Sequence, residues 1–254
     1  AFSDGKLSSG ISNPRASDVL ETFVRFGAPS EILWDYKPHI GTDRLPDVVA
    51  GIRREIIRLG GEFRPETTLT DIRVHDGALT RLSLGEEPTD ARYAVLAPGH
   101  SARDTFEMLL SRGVTITQKP FSVGTRIEHP QSLIDRAQYG TFAGHPRLGA
   151  ADYKLSTRSS DGRGVYTFCM CPGGTVVAAA SEPGRTVTNG MSTYARDGVN
   201  ANAAVLVGVG VKDFPSDHPL AGVALQRSIE AAAYQVGGYC APAQTVGDFI
   251  AGRP

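Results

Sequence analysis

Among the side chains able to do chemistry, Cys169-Met-Cys171 stands out, directly ahead of Pro172-Gly-Gly174. In a strand, one intervening residue puts both thiols on one face. Two such thiols can exchange with a disulfide or hold a soft metal. Redox pairs and zinc sites more often use two intervening residues, and no other Cys or His stands nearby at ligand spacing. Small buried hydrophobes are the plainer reading. The six histidines are His39, His75, His100, His129, His145 and His218. None pairs at helical metal spacing, so no metal site is expected. His39 and His100 lie close to a glycine at the entrance to a helix, where an imidazole can contact a ligand or titrate near neutral pH. A loop imidazole bonded to backbone is the plainer reading of each. No Gly-x-Ser-x-Gly elbow occurs, which argues against one class of hydrolase. For catalysis, the candidates are His39, Cys169 and Cys171.

A second stretch invites binding rather than catalysis. Tyr93 to Ala97 is a short apolar run that predicts a buried strand. Pro98 and Gly99 end it, Ser101 can cap a helix over Ala102 to Arg112, and Gly113 closes that helix. A strand passing through a glycine turn into a helix N-terminus aims free amides at one spot, which suits a phosphate. An ordinary βα turn has the same signature. Val207-Gly-Val-Gly-Val-Lys212 fails as a dinucleotide fingerprint, because Asp213 holds the third glycine position and Phe214-Pro215 follows where a helix should begin. Cys171 to Thr175 and Thr188 to Ser192 read as glycine turns joining strands, open to a planar ligand.

The elements that must position these residues are mixed. Ser17 or Asp18 caps a helix carrying Val19, Leu20, Phe23 and Val24, and Gly27 ends it. Ser30 opens a short helical turn, with Trp34 as a packing anchor. Asp43 caps the clearest helix, whose stripe is Leu45, Val48, Val49, Ile52, Ile56 and Leu59. Glu62 to Arg64 predicts a short strand. Thr68 to Val74 and Ala78 to Leu84 form a hairpin about His75-Asp-Gly77. From Phe121 onward, short strands at 121–127, 153–158, 165–170, 175–180, 185–188 and 203–209 imply an antiparallel sheet. Helices are expected at Gln131 to Gln138 and Pro219 to Val236, the latter turning Ile229 and Val236 inward. Residues 1–15 and the tail from Cys240 read as loop.

Composition narrows the classes. A 254-residue chain with 41% hydrophobic and 21% charged residues can bury a sizeable core. Net charge −1 and pI near 6.7 give no reason to expect nucleic acid. The longest apolar stretch, Ala203 to Val211, is too short to span a bilayer, so no membrane is expected. Three cysteines point to a reducing, cytoplasmic setting.

Several strings together resemble a known family. They are Phe2-Ser-Asp-Gly-Lys-Leu7, Lys37-Pro-His-Ile-Gly-Thr-Asp43, Leu96-Ala-Pro-Gly-His-Ser-Ala-Arg-Asp-Thr105 and Lys119-Pro-Phe121. Further on come Arg126-Ile-Glu-His-Pro130, Ala151-Asp-Tyr-Lys154, Phe168-Cys-Met-Cys-Pro-Gly-Gly174, Asn189-Gly-Met-Ser192 and Asn200-Ala-Asn202. The chain resembles the middle part of the poorly characterised FAD-dependent dehydrogenases of the glutathione-reductase-like flavoproteins. The resemblance implies an α/β plus α+β fold, with an incomplete FAD/NAD(P)-binding-type domain and an inserted antiparallel-sheet substrate domain. Residues 1–113 would be the later part of the FAD-binding domain, 114–236 the substrate domain, and 237–254 a return segment. FAD is the implied cofactor, an unidentified small molecule the implied substrate, and the implied activity that of an oxidoreductase. Ser3, Asp4, Gly5 and Lys6 would lie near the flavin, and Leu69 near the adenine. Ala97, Pro98, Gly99, His100 and Ser101 would face the pyrophosphate. The family's first glycine fingerprint and its ribose acid are expected upstream of Ala1, and a second flavin segment downstream of Pro254. The fragment alone is then expected to be inactive and to bind FAD weakly. The alternative is a cofactor-free interaction module that self-associates through truncated surfaces.

Overall fold

The computed structural model describes residues 3–8 and 13–253. Phe2, the middle of the 1–15 loop reading and Pro254 lie outside the described residues. Six helices are described: α1 (Arg15–Arg25), α2 (Leu45–Arg58), α3 (Arg103–Ser111), α4 (Gln131–Tyr139), α5 (Ala221–Gly237) and α6 (Val246–Ala251). The strands are β1 (Leu69–His75), β2 (Ala78–Leu84), β3 (Glu87–Asp90), β4 (Phe121–Pro130), β5 (Ser156–Arg158), β6 (Gly164–Cys171), β7 (Thr175–Ala179), β8 (Val187–Met191) and β9 (Asn200–Val209). They form sheets β1-β2-β3, β4-β9-β6-β5 and β7-β8, with every described pairing antiparallel. The fold is therefore mixed α and β with antiparallel sheets. Among the described residues no parallel sheet of a dinucleotide-binding domain forms.

The first core explains why the N-terminal elements hold together. Leu20, Phe23 and Val24 of α1 pack with Ala28, Ile32, Ile40 and Val48, joined by Leu45 and Ile52 of α2. Full burial of Ile40 and Val48 contributes about 1.5–3 kcal/mol each. The cover reaches only the Leu45, Val48 and Ile52 side of α2, so Val49, Ile56 and Leu59 of the expected stripe face outward, as does Val19 of α1. Trp34 is 69% exposed and anchors nothing. The second core lies between β4, β6, β9 and α4, where Met170, Ala201 and Ala203 meet Ile127, Ile134 and Tyr153.

Other expectations need correction. Glu62 to Arg64 is not a strand. Tyr93 to Ala97 is not a buried strand either, since Val95 is 95% exposed and no described strand offers it hydrogen-bond partners. Asp43 does not cap α2, because its carboxylate accepts from the Tyr194 amide at 2.8 Å. Neither Ser17 nor Asp18 caps α1, which begins at Arg15 behind Pro14 with no side-chain cap. Asn189-Gly190 is no turn but lies within β8. Ile229 and Val236 are exposed on α5. The tail contains α6, capped by Thr245, whose hydroxyl accepts from the Asp248 amide at 3.1 Å.

Candidate functional site

Two loops and two strand ends converge between the two cores. Lys6 and His39 form a single antiparallel bridge. The Leu7 amide donates to the Pro38 carbonyl, and the Ile40 amide to the Gly5 carbonyl, each at 3.0 Å. Ile40 pins this ribbon to the first core. On its far side the Thr42 amide donates to the Ser192 carbonyl at 3.0 Å, just past β8.

Asp4 sits buried at the centre. Its carboxylate pairs with Lys6 and accepts from the Ser192 amide and, at 2.8 Å, from the Ser192 hydroxyl. His39 Nε2 lies 3.3 Å from the same carboxylate. Burial alone would raise the Asp4 pKa. Hydrogen bonds from His39 and Lys6, the Lys6 charge and Ser192 outweigh it and hold the carboxyl well below its usual range. Asp4, His39 and Ser192 are the residue types of a hydrolytic triad. Their arrangement is different: the serine hydroxyl donates to the carboxylate, and both groups approach the same imidazole nitrogen, with Nε2 3.4 Å from the Ser192 Oγ. A triad needs the acid on the other nitrogen. The geometry ties three loops together.

Lys6 connects this cluster to the thiols, its Nζ lying 3.1 Å from Cys171 Sγ. β6 pairs with β9 regularly down to Phe168–Ala204, then shifts so that Cys171 faces Asn202. The extra residue makes a bulge, and Cys169 takes a left-handed φ of 47°. For a non-glycine residue that costs about 1–2 kcal/mol. The regular alternation expected of the two thiols is thus interrupted. Met170 enters the second core, and Cys171 turns to Lys6.

Arg126 of β4 reaches the Cys169 carbonyl with both terminal nitrogens at 3.4 Å and also bonds the Asn202 Oδ1. Gly190 leaves the room for this, since a Cβ there would collide with both the guanidinium and the amide. Asn202 is fully buried, and its Nδ2 has no partner among the described residues.

The cysteines share a charge. A hydrogen bond from Cys171 brings the Cys169 thiol down to about 5 against burial, helped by Lys6 and Arg126. The same bond, with burial, pushes Cys171 up. Burial works against the Lys6 ammonium, but Cys171 and Asp4 keep its pKa above the ordinary value.

The remaining expected site residues lie elsewhere. The Ser3 hydroxyl accepts from the Gly5 amide at 3.3 Å. Leu69 opens β1 opposite Leu84. Ala97 to Ser101 form an exposed loop, with Gly99 at φ 72° and nothing within 4 Å of where its Cβ would be. Ser101 does not cap α3. Ala102 holds that position, and the Ser101 hydroxyl bonds that of Ser181 at 2.9 Å. Among the described residues no hydrogen bond joins this turn to the Asp4 cluster.

Residues 120–254, more than half of the chain, match the family described as FAD-dependent protein, C-terminal domain-like. The chain belongs to that family. An uncharacterised protein of Clostridium beijerinckii (strain ATCC 51743 / NCIMB 8052) is 50% identical over 256 residues, which covers 100% of this chain and 48% of the relative. The chain therefore spans about half the length of the curated relative it matches. Within this FAD-dependent family member, Arg126, Ser192 and Asn202 are the site residues that the search for reactive side chains missed. Each stood at the end of one of the strings that carry the resemblance, and that was the available signal. Among the described residues no group of three or more His, Cys, Asp or Glu is placed to hold a metal, and no helix is long and apolar enough to cross a membrane.

Proposed function

We propose that the chain is the central part of an FAD-dependent, dehydrogenase-like oxidoreductase that positions a small substrate against the flavin. Residues 1–113 would complete a flavin-binding domain, 114–236 would form the substrate domain and 237–254 would lead back. Membership of the FAD-dependent family supports this, as does the antiparallel sheet that begins at Phe121, just beyond the proposed boundary.

The observation that carries the reading is the turn before α3. Among the described residues, the amides of Gly99, His100, Ser101 and Ala102 donate to no acceptor, and Gly99 is open on its outer side. Free amides at a helix N-terminus fit the diphosphate of FAD. Residues 97–101 would hold that group, Leu69 would border the adenine, and Ser3 to Lys6 would lie towards the flavin ring. FAD, when bound, supplies the capacity to take up and release electrons. Asp4 keeps the Lys6 loop in place, and His39 buttresses Asp4.

The test uses the chain extended to the length of its relative. Gly99→Val is expected to abolish visible flavin absorbance in the purified protein while lowering its thermal melt in the absence of FAD only modestly, because a valine blocks close approach and its strain at positive φ falls on an exposed turn. Normal flavin content in this variant would refute the assignment of the turn. A colourless extended protein that takes up no added FAD would favour a cofactor-free interaction module instead.

A further inference from the structure

We propose that Cys169 and Cys171 form a thiol–disulfide exchange site for small-molecule disulfides, organised by the Lys6 ammonium 3.1 Å from the Cys171 sulfur. The proposal stands apart from the flavin reading. Spacing alone argued against a redox pair, because cysteines two apart on a straight strand hold their Cα atoms near the upper limit of about 4.4–6.8 Å for a disulfide. The left-handed residue at Cys169 breaks that straight run. The bulge brings Lys6 of the N-terminal loop to the Cys171 sulfur, and Arg126 of β4 to the Cys169 carbonyl, to which the Cys171 thiol also donates at 3.3 Å. Asp4 and, behind it, His39 are the other titratable groups facing this corner. A cation next to a sulfur stabilises the thiolate, which is the reactive form. Cys171, with Lys6 and Arg126, holds the Cys169 thiol well below its ordinary range against burial.

Exposure sets the order of events. Cys169 is partly accessible and Cys171 is fully buried. The Cys169 thiolate attacks one sulfur of a disulfide RSSR, breaks its S–S bond and expels RS⁻. The Cys171 sulfur then attacks Cys169 in the mixed disulfide. The second RS⁻ leaves and takes up the Cys171 proton as RSH. Two electrons pass from the cysteine pair to RSSR, giving a Cys169–Cys171 disulfide, RS⁻ and RSH. The Lys6 ammonium beside the Cys171 sulfur is the counter-charge for the sulfur pair.

The test uses this chain carrying Cys240→Ser, which removes the other, exposed thiol. The reduced protein is mixed with oxidised glutathione at pH 6 and pH 8, quenched with acid, alkylated and mapped by mass spectrometry. The expected product is a protein two hydrogens lighter, cross-linked between Cys169 and Cys171. Its rate of formation at pH 6 should lie within about threefold of that at pH 8, whereas an ordinary thiol of pKa about 8.5 would slow by roughly fifty- to a hundredfold. Lys6→Met should steepen the pH dependence measurably and Lys6→Arg should keep it shallow, each checked by thermal melt. A glutathione adduct at Cys169 that never resolves would overturn the proposal. So would a pair that stays reduced, or a steep pH profile in the chain retaining Lys6.

Discussion

Asp4 shows how a single buried carboxylate can organise a site. It is held by Lys6, His39 and two donors of Ser192, which belong to three separate chain segments. Removing one partner of a buried ion pair typically costs about 3–5 kcal/mol, because the other charge is left uncompensated. Lys6 keeps some contact with water, so Asp4→Asn is expected at the lower end, about 3 kcal/mol by urea unfolding at pH 7. The pH dependence has a definite sign. The folded pKa lies below the unfolded value of about 3.9, so the stabilisation is complete above that value and disappears as pH falls through the folded one. Between pH 5 and pH 2 the unmodified chain should therefore lose a growing part of its advantage over Asp4→Asn. Parallel stability curves for the two proteins would show that the carboxylate does not carry this load.

At the scale of elements, α3 is fastened to α5 through charge. Arg103, 1% exposed, donates to both Glu230 oxygens at 2.6 and 2.9 Å, to Glu182 at 2.7 Å and to Gln226 at 3.2 Å. Arg227 of α5 grips Glu182 from the other side, and its hydrogen bonds, with those of Arg103, bring the Glu182 carboxyl down to about 2 against burial. Arg103→Met alone leaves Glu230 buried without a partner and is expected to cost about 3–5 kcal/mol. Arg103→Met combined with Glu230→Met should recover most of that loss, since an apolar pair of similar volume often replaces a buried ion pair at little cost. Chemical denaturation of the three variants measures the coupling. Additive losses would mean that the two side chains act independently. The thiol bulge is a second device at this scale, because one extra residue in β6 turns a routine strand end towards a lysine from the opposite end of the chain.

Among the described residues, two apolar cores flank the charged corner, and the apolar run from Tyr93 lies uncovered. Tyr93 and Val95 are almost fully exposed. In this chain Val95→Ser is expected to leave stability within about 0.5 kcal/mol, as at other surface positions. In the protein extended to the length of its relative, the proposed flavin domain would bury the run as a strand, and the same change should cost at least about 2 kcal/mol. Differential scanning of both lengths decides the matter. An equally silent substitution in the long form would remove the reason to expect a sheet there.

The sequence by itself determined the local elements whose signals are periodic or conformational. The α2 helix, the Asp76-Gly77 hairpin and the antiparallel run of strands after residue 120 were all legible, because each depends on neighbours a few positions apart. The cofactor family was legible too, through the residue strings and not through any periodicity. Tertiary structure alone decided which faces are covered: Val48 is buried and Val49 is not, and Val95 lies open despite its apolar setting. It also decided where Lys6 and the cysteines meet. Lys6 and Cys171 are 165 positions apart, so no spacing rule links them, and only the docking of the N-terminal ribbon against the β6 bulge brings an ammonium to a thiol. Burial and charge pairing are properties of the assembled neighbourhood, and a neighbourhood built from distant segments leaves no local trace in the chain.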